Sequence, residues 1–218
     1  MSIKENVLKL RKDVSGDVLI IAATKTRTVP EIEEAVSAGV KIIGENYVQE
    51  AEKKLLKLKG KVKLHCIGHL QTNKVKKAVE IFDMIQTVDS LKIAKEINNK
   101  CRGLEKVMPV LVEVNSGEEG NKAGCMPDKV EELVRGVARL NNVKVKGLMT
   151  MAPYFDDAEK DRPYFKKTKE LFDKLKELKV ENISMDILSM GMSGSYKVAI
   201  EEGATMVRLG SGIFGERV

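Results

Sequence analysis

The sequence predicts an α/β protein built as a closed (β/α)8 TIM barrel with an additional N-terminal helix. Eight short aliphatic runs alternate with stretches of helical periodicity, which favours parallel strands joined by helical crossovers. Polar residues sit at the C-terminal ends of several separated runs, where a barrel has its mouth. No GxGxxG follows the first strand, which counts against the open doubly wound sheet that eight β/α units could otherwise form. With 218 residues the chain fits one barrel domain spanning 1–218, and a second catalytic domain would leave too few residues for eight units.

Ser2 to Asp13 is predicted as the extra helix, since Ile3, Val7, Leu8 and Leu10 can share one flank. The first strand is Val18 to Thr24, followed by a helix that begins near Thr28, carries Pro30 in its first turn and stops at Gly39. The remaining strands are Lys41 to Asn46, Lys63 to Gly68, Met84 to Val88, Met108 to Asn115, Val145 to Met151, Ile187 to Met190 and Met206 to Gly210. Helices are expected over Tyr47 to Leu58, Gln71 to Phe82, Ser90 to Lys100, Pro127 to Leu140, Asp161 to Leu178 and Ser193 to Glu202. Gly117 to Gly124 reads as a loop at the barrel mouth.

Hydrophobic residues at 43% and charged residues at 32% suit a globular protein and exclude global disorder. No run reaches the roughly 20 apolar residues of a membrane span, and the N-terminus lacks a secretory pattern, so the cytoplasm is the expected location. The +6 charge is spread along the chain and aromatics are only 4%, an unfavourable combination for nucleic-acid binding. It can still steer an anionic ligand. Cys66, Cys101 and Cys125 form no CxxC pair and are expected as reduced thiols.

Alternation along the first strand places Leu19, Ile21, Ala23 and Lys25 on one side, with Lys25 at the rim. A partly desolvated lysine there can attack a carbonyl, although a solvent-facing lysine has the same position. Ser189-Met-Gly-Met-Ser193 leaves strand seven, and Arg208-Leu-Gly-Ser-Gly212 leaves strand eight. Ser193, able to cap and bind at once, with Gly210 and Gly212 exposing backbone N–H groups near Ser211, matches the usual phosphate site of a barrel; ordinary turn chemistry is the alternative. Arg208 should face the interior, where it needs an acceptor from a ligand or from an ion pair. His65 and His69 could share one side of strand three, but they make a weak metal site and no nucleophilic triad. Asn46 can position a planar ligand, while Asn115 more simply anchors its loop. The helix with Lys53, Lys54, Lys57, Lys59 and Lys61 reads as a solvated face. Met149, Met151, Met190, Met192 and Met206 read as core filling at strand ends, with soft packing against a ligand as the alternative.

Ala22-Ala-Thr-Lys-Thr26, Gly44-Glu-Asn-Tyr-Val-Gln-Glu50, His65-Cys-Ile-Gly-His-Leu-Gln-Thr-Asn-Lys74, Gly147-Leu-Met-Thr150, Leu188-Ser-Met-Gly-Met-Ser193 and Gly203-Ala-Thr-Met-Val-Arg-Leu-Gly210 together resemble the pyridoxal 5′-phosphate homeostasis family, in family order. At Leu64 the chain departs from the aromatic residue common in that family. The resemblance implies a barrel like the N-terminal domain of alanine racemase, with pyridoxal 5′-phosphate (PLP) held as an imine on Lys25. It implies phosphate binding by Ser193, Gly210 and Ser211, Arg208 near the pyridine nitrogen, and Asn46 and His69 in the pocket segments. It further implies a role in vitamin B6 and amino-acid homeostasis without strong turnover, with transient transfer of PLP to apoenzymes. A monomer is expected, with no nucleic-acid or membrane partner. A weak amino-acid racemase is the alternative; it would need a second base, and Tyr47, Tyr154, Tyr164 and Tyr196 cannot be assigned to that role from sequence.

Overall fold

The computed structural model describes residues 1–14, 16–120, 122–153 and 155–216. Eight parallel strands close into a barrel in chain order: β1 Leu19–Ala23, β2 Ile42–Glu45, β3 Lys63–Cys66, β4 Met84–Val88, β5 Met108–Val114, β6 Val143–Thr150, β7 Ile183–Ser189 and β8 Met206–Leu209. Closure joins β1 to β8 through Leu19 opposite Met206 and Ile21 opposite Arg208. Alternation then divides the strand residues into two packed sets. Ile21, Ile42, Ile67 and Met206 form one interior cluster, and Met84, Leu111 and Met149 form another, with Ile187 against both. Their neighbours Ala22, Ile43, Leu64 and Ile85 face the helices in the main core.

The helices are α1 Ile3–Asp13, α2 Val29–Ser37, α3 Val48–Lys54, α4 Val75–Ile81, α5 Leu91–Arg102, α6 Val130–Ala138, α7 Arg162–Lys176, α8 Tyr196–Glu201 and a short α9 Ser211–Phe214. At the start of α1, Ser2 Oγ accepts from Glu5 N–H and Ser2 N–H donates to Glu5. Thr28 and Glu31 make the comparable reciprocal start for α2, with Pro30 in the first turn as expected. No helix among the described residues is long and apolar enough to cross a membrane.

Helix α3 ends at Lys54 and α4 begins at Val75, each four residues inside the expected bounds, with short 3-10 turns over Leu56–Leu58 and Thr72–Lys74; further boundary corrections fall on β6, β7 and α8. Strand β7 begins at Ile183, four residues before the expected Ile187, and β6 begins at Val143. Polar Ser184 and Asp186 mask the pattern of β7. Lys146 Nζ on β6 meets both, at 3.1 Å from Ser184 Oγ and 2.9 Å from Asp186 Oδ2, so cross-strand pairing extends the strand where hydrophobicity does not. Helix α8 starts at Tyr196 rather than Ser193, with Ser195 at the N-cap position.

The β5, β6 and β7 registers shift around Gly147, whose φ is +146°. A Cβ there would lie 1.8 Å from the carbonyl oxygen of Ile187, so both backbone conformation and interstrand space require glycine. Gly147→Ala is expected to destabilise the protein by about 3 kcal/mol or more, measured by urea unfolding, because β6 and β7 would have to separate.

Candidate functional site

The C-terminal ends of β1, β2, β6, β7 and β8 surround a cavity of about 520 Å3. Lys25, two residues beyond the end of β1, lines it and is partly buried. The backbone on either side of Lys25 is fixed by polar contacts. Thr24 Oγ1 donates to Glu45 Oε2 at 3.0 Å, while Thr26, at φ +66°, donates its N–H to Glu50 at 3.3 Å. Lys54 Nζ reaches Thr24 O at 3.2 Å, Glu45 Oε2 at 3.1 Å and Glu50 Oε2 at 2.6 Å. The expectation that Lys54 belongs to a solvated lysine face is therefore corrected. Buried Glu45 requires a cation, and Lys54 is the lysine one helix away that can reach it.

Ser193, Gly194 and Ser211 form another part of the cavity wall. Ser193 Oγ accepts from Gly210 N–H at 3.1 Å and Gly212 N–H at 3.0 Å, tying the loop after β7 to the loop after β8. Two amides expected to be open to a ligand are thus already partnered, and Ser193 acts outside α8 as a bridge. The N–H groups of Ser193, Gly194 and Ser211 have no acceptor among the described residues. Three such donors on a cavity wall are suited to an anion. Gly210 has φ −104°, and an added Cβ would make only ordinary contacts with Ala23. Strict conformational need falls instead on Gly191, with φ +88° and an added Cβ only 2.5 Å from Ala199 Cβ.

Arg208 faces the barrel interior from β8 and contributes to the cavity floor. Its guanidinium donates to Ser189 Oγ and to the Thr150 carbonyl, both at 2.8 Å. Ser189 donates onward to Gln86 Oε1 at 2.8 Å, and Gln86 Nε2 lies 2.9 Å from His65 Nδ1. Gln86 donates, so His65 Nδ1 accepts, and the chain runs in one donor direction from Arg208 across β7 and β4 to β3. Burial lowers the His65 pKa to about 4, keeping the ring neutral near neutral pH, and lowers that of Arg208 to about 10, with Glu113 opposing the latter shift. Burial likewise raises the Cys66 thiol to about 12.

The two histidines part company. His65 is buried in this chain, whereas exposed His69 lies 3.4 Å from Asp89 and lines a neighbouring cleft with Tyr47, Gln71 and Lys74. Asn46 borders both spaces. The other sequence candidates, Lys25, Ser193, Arg208, Gly210 and Ser211, share the main cavity. Asn115 anchors its loop as expected, through both backbone polar groups of Glu119. Met149, Met190 and Met206 are buried, while Met151 and Met192 are exposed and line the cavity.

Sequence reasoning missed Gln86 and Glu113. The available signal was a polar residue within an aliphatic strand, here Met-Ile-Gln-Thr-Val and Val-Leu-Val-Glu-Val. Glu113 is 3% exposed, and its Oε2 has no hydrogen-bond partner among the described residues. Burial raises its pKa to about 7; Asp89 adds to the rise and Arg208 opposes it. Asp161 also lines the cavity, and burial raises its carboxyl pKa above the ordinary value.

Residues 1–218 match the family described as alanine racemase, N-terminal domain. A pyridoxal phosphate homeostasis protein from Aquifex aeolicus is 44% identical over 199 residues, covering 91% of this chain and 86% of that protein. A solved structure of PipY from Synechococcus elongatus PCC7942 with PLP bound has a TM-score of 0.89 and 31% identity, covering 98% of this chain and 100% of that one. An alanine racemase from Clostridium difficile 630 has a TM-score of 0.85 at 18% identity, over 99% of this chain and 57% of that one, and shows likeness of fold alone.

His65 and Glu113 have opposite linkages to stability. Neutral His65 contributes stability above its unfolded pKa of 6.5, which is lost as pH falls toward about 4. Glu113 imposes no ionisation penalty below 4.5, but stability is lost as pH rises through about 7. Glu113→Gln is therefore expected to be up to about 3 kcal/mol more stable than the parent at pH 8 and to lose that advantage toward pH 5, as urea unfolding at the two pH values will measure.

Proposed function

Because this chain belongs to the pyridoxal phosphate homeostasis protein family, within the alanine racemase N-terminal domain family, we propose that it binds PLP reversibly in the cavity containing Lys25. The observation carrying this reading is that one cavity is lined by a primary amine, Lys25, by three residues whose N–H groups have no acceptor among the described residues, and by a buried guanidinium. These residues fit PLP: the amides of Ser193, Gly194 and Ser211 suit its phosphate, Arg208 suits its ring nitrogen, and Lys25 suits its aldehyde. When bound, PLP supplies an electrophilic carbonyl carbon to a primary amine.

Thr24 and Thr26 hold the backbone of Lys25, so its Nζ works from a fixed origin. Ser193 keeps the loops after β7 and β8 together while their free amides receive the anion. Arg208 can donate but cannot accept a hydrogen bond, which favours an unprotonated ring nitrogen and weakens the electron withdrawal that amino-acid chemistry requires. Binding and release without strong turnover, serving vitamin B6 homeostasis, is accordingly the preferred role. Tyr47, Tyr164 and Tyr196 are outside the cavity lining, while Tyr154 lies outside the described residues. The carrier is proposed to act as a cytoplasmic monomer and to pass PLP to apoenzymes; its free, buried Cys66, Cys101 and Cys125 suit a reducing compartment.

Lys25→Ala is expected to abolish the borohydride-trapped PLP adduct but retain weak binding of PLP, with much weaker binding of pyridoxal. Equilibrium dialysis and peptide mass mapping will measure both effects, and an adduct on another lysine in the parent would refute the attachment site. Chiral product analysis tests the racemase alternative. Ser193→Ala should weaken binding by about 0.5–2 kcal/mol, because Gly210 and Gly212 lose their shared acceptor and the cradle loosens. Titration of the folded variant with PLP provides the comparison.

A further inference from the structure

The barrel interior contains an acid that the proposed binding reaction does not use. Register places Glu113 of β5 opposite Met149 of β6, and Met149 opposite Ser189 of β7. Ser189 accepts from Arg208 of β8. Glu113 and Arg208 thus face the same interior, separated by one strand's apolar side chain and one hydroxyl. They form no ion pair within 4.0 Å, and Glu113 Oε2 remains without a hydrogen-bond partner among the described residues. The other ionisable groups that influence this acid are Asp89, after β4, and Cys66, on β3. Cys66 stays protonated because burial raises its pKa, and Asp89 is already beside His69. Met149 and Ser189 contribute no charge.

We propose that Glu113 is a positioning residue whose proton controls the effective charge of Arg208 and thereby couples the cavity's affinity for a phosphorylated pyridine to pH. This rests on the reading of the cavity as a PLP site. Protonated Glu113 leaves Arg208 a full, poorly screened cation for the anionic ligand. Ionised Glu113 offsets that charge through the low-dielectric interior and loosens the ligand. The rise of the Glu113 pKa to about 7 places the change in a range where cells and compartments differ. Linkage requires the reciprocal effect: a bound anion near Arg208 raises the proton affinity of Glu113, so binding takes up a proton.

Pyridoxine 5′-phosphate is a suitable probe because it lacks the aldehyde and binds without involving Lys25 in a covalent bond. Its Kd is measured by calorimetry from pH 6 to 8.5 for the parent and Glu113→Gln, in buffers of different ionisation enthalpy. The ligand's own phosphate ionisation is common to both proteins and cancels in their ratio. The parent is expected to lose about tenfold more affinity than Glu113→Gln across this range, and to take up protons on binding that the variant does not. Superimposable pH profiles with intact binding would overturn the role of Glu113 while leaving the PLP reading in place. No binding of the probe or of PLP to the parent at any pH would overturn both. Should Glu113→Gln fail to fold, proton uptake by the parent decides: its absence between pH 7 and 8 overturns the proposal, and its presence, lost at saturating probe when Arg208→Gln removes the cation, supports it.

Discussion

Much of the barrel interior is organised around the guanidinium of Arg208. A buried arginine keeps its charge and has five N–H donors but no acceptor, so the fold must bring oxygen atoms to it. Thr150 supplies a carbonyl and Ser189 a hydroxyl, each at 2.8 Å. The hydroxyl must then donate elsewhere, which draws in Gln86, and the Gln86 amide requires the unprotonated nitrogen of His65. One charged side chain on β8 therefore dictates polar positions on β7, β4 and β3. A hydrophobic barrel would be easier to fill, but it could not present a fixed donor to the mouth.

Lys25 is prepared by a different network. It needs mobility at Nζ and order at its backbone, and the neighbouring contacts divide those requirements. Thr24 is locked through Glu45 and Lys54, while Thr26 turns through the left-handed region with its N–H on Glu50. Among the described residues, Lys25 itself has no salt-bridge partner within 4.0 Å. Two charge systems consequently flank the cavity: a satisfied one beneath the lysine, and one beneath the arginine in which Glu113 Oε2 has no partner among the described residues. The first resembles scaffolding. The second retains a free energy that depends on protonation, which is why Glu113 is suited to respond to pH.

The loop pair after β7 and β8 completes the mouth by a division of donors. Ser193 occupies Gly210 and Gly212, and the amides of Ser193, Gly194 and Ser211, residues that line the cavity, have no acceptor among the described residues. A serine that had capped α8 would have joined the loop to its own helix. By bridging to the next βα unit instead, it makes the geometry of the cradle depend on barrel closure, and Ser195 takes the cap position.

The sequence by itself determined the eight β/α units, the order of the strands, and the placement of Lys25, Ser193, Arg208, Gly210 and Ser211 at one mouth. All of these follow from local period, chain order and alternation across a strand. Only tertiary structure decided the early start of β7, because Ser184 and Asp186 break the apolar pattern and are held by Lys146 on another strand. It also separated His65 from His69: the chain leaves β3 after Cys66, and the alternation that had placed both on one face no longer applies. Gln86 and Glu113 were legible only as unusual residue types within their strands, and Lys54 was hidden among the lysines of its helix, since what distinguishes each is a buried polar partner or the want of one. Hydrophobic periodicity is a property of neighbouring residues, whereas a buried charge or amide is defined by whichever distant group satisfies it, and that group is known only once the barrel has closed.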